Sequence, residues 1–218
     1  MYPDQPEPLT SGQTDPEWLM QRAGTKDARS YFFRVLQLGD ILPAKVQHIA
    51  PFGVFCDLGC GFSALMRLNR CCISRLQSGA ALFSPGQEIR VAVLWMDAQR
   101  GFIHLTGREL LGTWEENAEK YRQGQIVPGV VRAKMPYGLF IELLPNLSGL
   151  AEPTEGIAEG DAVRVRIRAI LPQKHKIKLT ILEKLPAPPP RISPEYFITS
   201  GHIGKWEYYP GSRAVTYF

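Results

Sequence analysis

The chain has 218 residues, 44% of them hydrophobic, and a formal net charge of +4, so it is mildly basic and can hold one large or two small buried cores. It contains no run of eighteen apolar residues and starts with the acidic, Pro-containing Met1-Tyr2-Pro3-Asp4, which argues against a membrane span or signal peptide and for a cytoplasmic location. The four cysteines, Cys56, Cys60, Cys71 and Cys72, lack paired Cys-x-x-Cys spacing, so reduced structural thiols are expected rather than a metal site.

In chain order, residues 1–13 are polar and rich in Pro, Gly, Ser and Thr, and read as disordered. Asp15-Pro16-Glu17 opens a helical flank over 14–37 whose Trp18, Leu19, Phe32, Val35 and Leu36 can pack on the first domain. Five short strands are expected at roughly 40–49, 53–58, 62–67, 87–96 and 102–106, within that first domain spanning 38–110. Thr113-x-x-Glu116 has the pattern of a capping box and predicts a short helix to about Tyr121 inside a linker over 111–122. A second domain occupies 123–184. It contains the clean alternation Val163-Arg164-Val165-Arg166-Ile167-Arg168, with three arginines on one face. A Pro-rich spacer and aromatic tail fill 185–218. The tail, with Tyr196-Phe197-Ile198 and Trp206-Glu207-Tyr208-Tyr209, either docks on a barrel or serves as a ligand for a partner or RNA.

The two domains are copies. Residues 39–65 align without a gap on 124–150, sharing Gly39/Gly124, Val46/Val131, Pro51/Pro136, Gly53/Gly138, Phe55/Phe140 and Leu65/Leu150 among others. Residues 86–106 align likewise on 160–180. Only the segment between the blocks changes length, twenty residues (66–85) in one copy and nine (151–159) in the other. Self-similarity of this kind means one structural unit used twice. Short strands separated by Gly and Pro make that unit a small antiparallel barrel or sandwich.

Alternation also exposes candidate binding residues. With Val54, Cys56 and Leu58 inward, Phe55 points outward beside Asp57; by the same logic Phe140 points outward beside Glu142. Each copy carries a second ring, Phe52 or Tyr137, at the start of the same strand. An intervening glycine permits a bulge that brings both rings to one surface. Outward rings on a barrel suit unpaired nucleic acid, since any base stacks on them. The alternative is that these rings pack against the neighbouring unit or a terminal segment.

The run Gly-x-Ile/Val, Pro-aromatic-Gly-x-Phe, Asp/Glu-Leu, Gly/Ala-Leu and Ile-x-Leu-Thr, present twice, resembles the S1 RNA-binding domain. The resemblance covers about 39–110 and 123–183 and implies an OB-fold barrel in each copy, in an all-β chain. Leu110-Leu111-Gly112-Thr113-Trp114-Glu115-Glu116 is similar to inter-domain segments of ribosomal S1-like proteins, and the whole chain resembles a short two-domain member of that group. In the family, the RNA face holds two aromatics on the second strand, a His on the third, and an Asp and an Arg near the hairpin before the fifth. Here the aromatics are Phe52 and Phe55, and Tyr137 and Phe140. The His position holds Arg67 in one copy and Glu152 in the other. The Asp position holds Asp97 and Leu171, and the Arg position Phe102 and Lys176.

Arg132 and Lys134 precede the second aromatic motif, and Arg164, Arg166, Arg168, Lys174, Lys176 and Lys178 lie beyond it within one acid-free stretch. No HExxH, Cys/His, Ser/His/Asp or phosphate-loop pattern occurs, so no enzyme and no cofactor are expected. The reading is a monomeric RNA-binding protein. It would grip single-stranded RNA through Phe52, Phe55, Arg67, Asp97 and Phe102 on one barrel, and Arg132, Lys134, Tyr137, Phe140 and Lys176 on the other. The resemblance implies messenger RNA and the small ribosomal subunit as partners. The competing reading is an adaptor that binds a ribosomal or RNA-processing protein through the same faces or the tail.

Overall fold

A computed structural model describes residues 32–59, 63–186 and 192–218. The expected disordered segment 1–13, the flank before Phe32, Cys60 and the middle of the Pro-rich spacer lie outside the described residues. Strands β1 (Ile41–Ala50), β2 (Gly53–Asp57), β3 (Ser63–Arg67), β4 (Glu88–Asp97) and β5 (Phe102–Thr106) close into a barrel in the order β1-β2-β3-β5-β4. Strands β6 (Ile126–Met135), β7 (Gly138–Leu144), β8 (Leu147–Ala151), β9 (Ala162–Leu171) and β10 (Lys176–Lys184) repeat that order. Antiparallel β1–β4 and β6–β9 pairs and parallel β3–β5 and β8–β10 pairs close the rings. The fold is all-β, two tandem OB-fold barrels. Period-two alternation fills each interior: Val54, Cys56 and Leu58 in one and Leu139, Ile141 and Leu143 in the other are buried.

Each barrel is interrupted by the same two bulges. The β1–β2 register shifts between Val46 and His48, and the β4–β5 register between Val93 and Trp95. The matching shifts fall between Val131 and Ala133 and between Ile167 and Ala169. An extra residue in one strand reverses the face of the side chains beyond it.

The barrels are tied together by three segments. The longer connection of the first copy forms helix α1 (Leu68–Cys71) and buries Phe83 in the first core. It also reaches across, where the Ser74 N–H donates to the Pro145 carbonyl (3.0 Å) and the Ser74 and Ser148 hydroxyls are 3.1 Å apart. In the linker, Thr113 and Glu116 form a reciprocal capping box that starts helix α2 (Trp114–Ala118), a turn shorter than the sequence suggests. The tail forms a hairpin of β11 (Lys205–Glu207) and β12 (Val215–Tyr217), and its Trp206 and Tyr208 are buried in the second core beside Trp114. That core also takes in Ile41 and Ala92 from the outer surface of the first barrel. Rings of this size bury roughly 150–250 Å² each, about 4–6 kcal/mol apiece before ordering costs.

Two buried polar residues fix the junction. The Asn146 side-chain amide donates to the carbonyls of Arg108 (2.7 Å) and Gly112 (2.8 Å), while its oxygen accepts from the Ile73 N–H (3.0 Å). Its main-chain carbonyl accepts the Tyr208 hydroxyl. Glu109 accepts from Thr106, from Arg108 Nε (2.9 Å) and from the tail's Thr216 hydroxyl (2.6 Å). A buried carboxylate is tolerated only with partners of this kind. Among the described residues, no helix is long and apolar enough to cross a membrane.

Candidate nucleic-acid interface

The paired rings of each barrel share a surface. Phe52 and Phe55 meet edge to face with centroids 5.9 Å apart, and Tyr137 and Phe140 repeat the arrangement at 6.3 Å. Phe52 is 58% and Tyr137 64% exposed, while Phe55 and Phe140 are half-buried. The glycine between them does not create a bulge. A Cβ on Gly53 would lie 2.5 Å from the Met66 carbonyl oxygen, and one on Gly138 2.5 Å from that of Ala151. Glycine is needed there because the second and third strands approach closely.

The bulges decide what lies beside these rings. Simple alternation from Leu42, Ala44 and Val46 would send His48 inward, and from Ile89, Val91 and Val93 would send Trp95 inward. Both instead lie beyond a register shift and face out. His48 then stacks on Phe55, centroids 4.3 Å apart and planes 15° from parallel. Trp95 lies 5.2 Å from His104, its partner across β4–β5. The first barrel therefore carries an outward row across four neighbouring pairs, His48–Phe55–Leu65–His104–Trp95. The corresponding row of the second barrel is Ala133–Phe140–Leu150–Lys178–Ala169. Local pattern in the sequence does not single out His48, Trp95 or His104. A signal for them exists only in the shift, which depends on the partner strand.

The remaining predicted residues separate into groups. Arg67 is exposed on β3 opposite Gly53, and near enough to His104 to help hold that imidazole below its usual range, after the larger effect of burial. Asp97 accepts from the Arg100 N–H (3.0 Å), closing the β4–β5 turn, and Phe102, paired with it across the ladder, is 57% exposed. On the second barrel Lys176 and Lys178 are exposed on β10, Lys178 lying opposite Leu150 and so in the same row as Phe140. Lys134 is exposed too, though its ammonium donates to the Ile157 carbonyl (3.0 Å).

Arg132 departs from the expectation of an open cation. Its Nε and Nη2 donate to both oxygens of Glu142 at 2.9 and 3.0 Å. Glu142, expected at the wet surface beside Phe140, is fully buried, and its charge helps to raise the Cys72 thiol of the connection that crosses from the first barrel. Glu142 leaves the barrel interior as alternation requires, but that connection covers it, and Arg132 neutralises it. Glu152, at the position where the family has a His, accepts a hydrogen bond from Arg168 at 3.1 Å. Tyr137, Leu150, Glu152, Arg168 and Lys178 border a shallow groove of about 160 Å³. The turn of the β9–β10 hairpin is held by the linker and tail: His175 stacks on Tyr209, centroids 4.0 Å apart, and meets Glu115 of α2 at 2.9 Å.

The three thiols among the described residues are buried and unreactive. Burial pushes Cys56 and Cys71 up to about 12, and Cys72 is raised chiefly by burial as well, so all three stay protonated at neutral pH.

Comparison with known proteins gives a consistent result. Residues 35–108 match the S1 RNA binding domain. The chain is 30% identical over 179 residues to small ribosomal subunit protein bS1 of Streptococcus pneumoniae, covering 76% of this chain and 44% of that protein. It is 29% identical over 160 residues to the small ribosomal subunit protein bS1 homolog of Bacillus subtilis, covering 68% and 42%. Among solved structures, a multidomain protein with nucleic acid binding domains from Streptococcus pneumoniae is 17% identical with a TM-score of 0.33, covering 68% of this chain and 54% of that one. The chain spans less than half the length of these bS1 relatives.

Proposed function

For a chain that carries an S1 RNA binding domain in residues 35–108 and a second barrel of the same topology, we propose that the function is to grip single-stranded RNA. The observation that carries this is a repeated one: an outward pair of rings at matching positions of both barrels, each with a cation on a neighbouring strand, Arg67 on β3 and Lys134 on β6. In the first barrel the elements are Phe52, Phe55 and Arg67, with Asp97 shaping the adjacent turn and Phe102 beside it. In the second they are Tyr137, Phe140, Lys134, Lys176 and Lys178. Arg132 stays with Glu142 and supports the barrel rather than the RNA. Each engaged base would contribute about 1–3 kcal/mol by stacking, with little dependence on its identity. Cations would add affinity that falls with salt.

Similarity to small ribosomal subunit protein bS1 supports the further reading that the RNA is messenger RNA held near the small ribosomal subunit. The test is a salt-titrated binding assay with single-stranded RNA, duplex RNA and single-stranded DNA of one sequence. Unpaired RNA should bind more tightly than the duplex and weaken as salt rises. Binding to ribosomes with no affinity for any oligonucleotide at low salt would replace this reading with that of a protein adaptor.

A further inference from the structure

The first barrel exposes a second group of rings outside the pair formed by Phe52 and Phe55. Trp95 is 47% exposed, and among the described residues the ring of His104 meets it at a tilt, centroids 5.2 Å apart and planes 53° from parallel. It lies on β4, whereas Phe55 lies on β2 and Phe52 in the turn just before it. Along the outward row, β3 and β5 lie between them, and with strands about 4.8 Å apart Phe55 and Trp95 are roughly 14 Å apart on the barrel surface. Arg67 occupies the intervening ground, close enough to His104 to affect its charge. Arg100, mostly exposed in the β4–β5 turn, lies at the far edge.

We propose that Trp95 and His104 form a second stacking platform on the first barrel, so that one RNA strand crosses from Phe52 and Phe55 on β2, over Arg67, to β5 and β4. This inference rests on the RNA-binding reading and adds a path and a footprint to it. Rings alternating with cations match a chain of bases alternating with phosphates, whereas a protein partner would call for a continuous apolar patch. His104 suits the role at neutral pH because burial and Arg67 keep its imidazole uncharged, leaving a flat ring beside Trp95. The platform is absent from the second barrel, where the same two register positions hold Ala169 and Lys178. The bulge that turns Trp95 outward is present in both copies, so the difference lies in the side chains alone.

The test uses the full chain and a short oligouridine, with tryptophan emission as one readout and affinity as the other. With Trp18→Phe as the background of every variant, the tryptophans left besides Trp95 are Trp114 and Trp206, both buried, so quenching on RNA addition should come from Trp95. Trp95→Phe should keep affinity within about threefold while losing the quenching, and Trp95→Ala should lower affinity at least about fivefold, the loss of one base stack. Phe55→Ala is the control for the first platform. If Phe55→Ala weakens binding but Trp95→Ala does not, or if RNA leaves the Trp95-dependent emission unchanged, the second platform is wrong and RNA binding stands. If the unaltered protein binds no oligouridine at low salt, both readings fall.

Discussion

The two barrels have nearly the same backbone and different surfaces. Strand order, both bulges and the edge-to-face ring pair recur. Yet the bulges of the first barrel present His48 and Trp95, whereas the matching positions of the second hold the small Ala133, which is buried, and Ala169. Where the first has His104 and Phe102, the second has Lys178 and Lys176. One copy is thus rich in flat rings and the other in long-chain cations. Duplication has kept the scaffold, which the core dictates, and let the outward row diverge, because outward side chains carry little of the folding energy. Under the proposed function, the first barrel would supply stacking and the second phosphate attraction.

The largest expected effect concerns the junction that makes this division meaningful. Asn146→Ala removes three side-chain hydrogen bonds and leaves the Ile73 N–H and two carbonyls without partners, at a cost of about 3 kcal/mol or more. In a chain of this size the melting temperature should fall by roughly 6–12 °C. Calorimetry showing an unchanged midpoint would mean that the barrels are not held together through this residue. Next, Phe55→Ala combined with Phe140→Ala should weaken binding to unstructured RNA at least tenfold, with folding intact by circular dichroism. Unchanged affinity would remove both ring pairs from the interface.

The contrast between ring and cation is sharpened by salt. Lys176→Ala with Lys178→Ala should reduce the slope of log affinity against log salt by about 1.4, two phosphate contacts on a single strand. Trp95→Ala should weaken binding at every salt concentration and leave the slope alone. Equal slopes in the two variants would erase the proposed difference between barrels. The smallest effect is with pH. His104 is held below the ordinary imidazole value of about 6.5, by burial first and Arg67 second, so it is neutral at pH 7 and a nearby phosphate favours its protonated form. Affinity should therefore rise a few-fold between about pH 7.5 and 5.5, and rise less in His104→Gln. Stability runs the other way. The unfolded chain takes up this proton first, so the fold loses stability as pH drops below about 6.5, a loss that His104→Gln should lessen.

Much of this molecule could be read along the chain. The repeat announced two barrels, and the alternation in 54–58 and 139–143 assigned inward and outward faces correctly before the bulges intervene. Phe52, Tyr137 and the exposed Arg67 and Lys176 are where that pattern leads. Arg132 and Glu142 are different. Each has the right phase for the surface, but a connection from the other barrel lies over one and their own ion pair occupies the other.

The amino-acid sequence by itself determined the duplicated unit, its strand phase and the ring pairs, because a period of two and the need to bury every second side chain act within a few residues. The tertiary structure alone decided that His48 and Trp95 face outward, that Glu142 is covered, and that the aromatic tail is spent on joining the barrels. Those outcomes depend on the register of a partner strand and on what packs from distant parts of the chain, neither of which a local pattern contains.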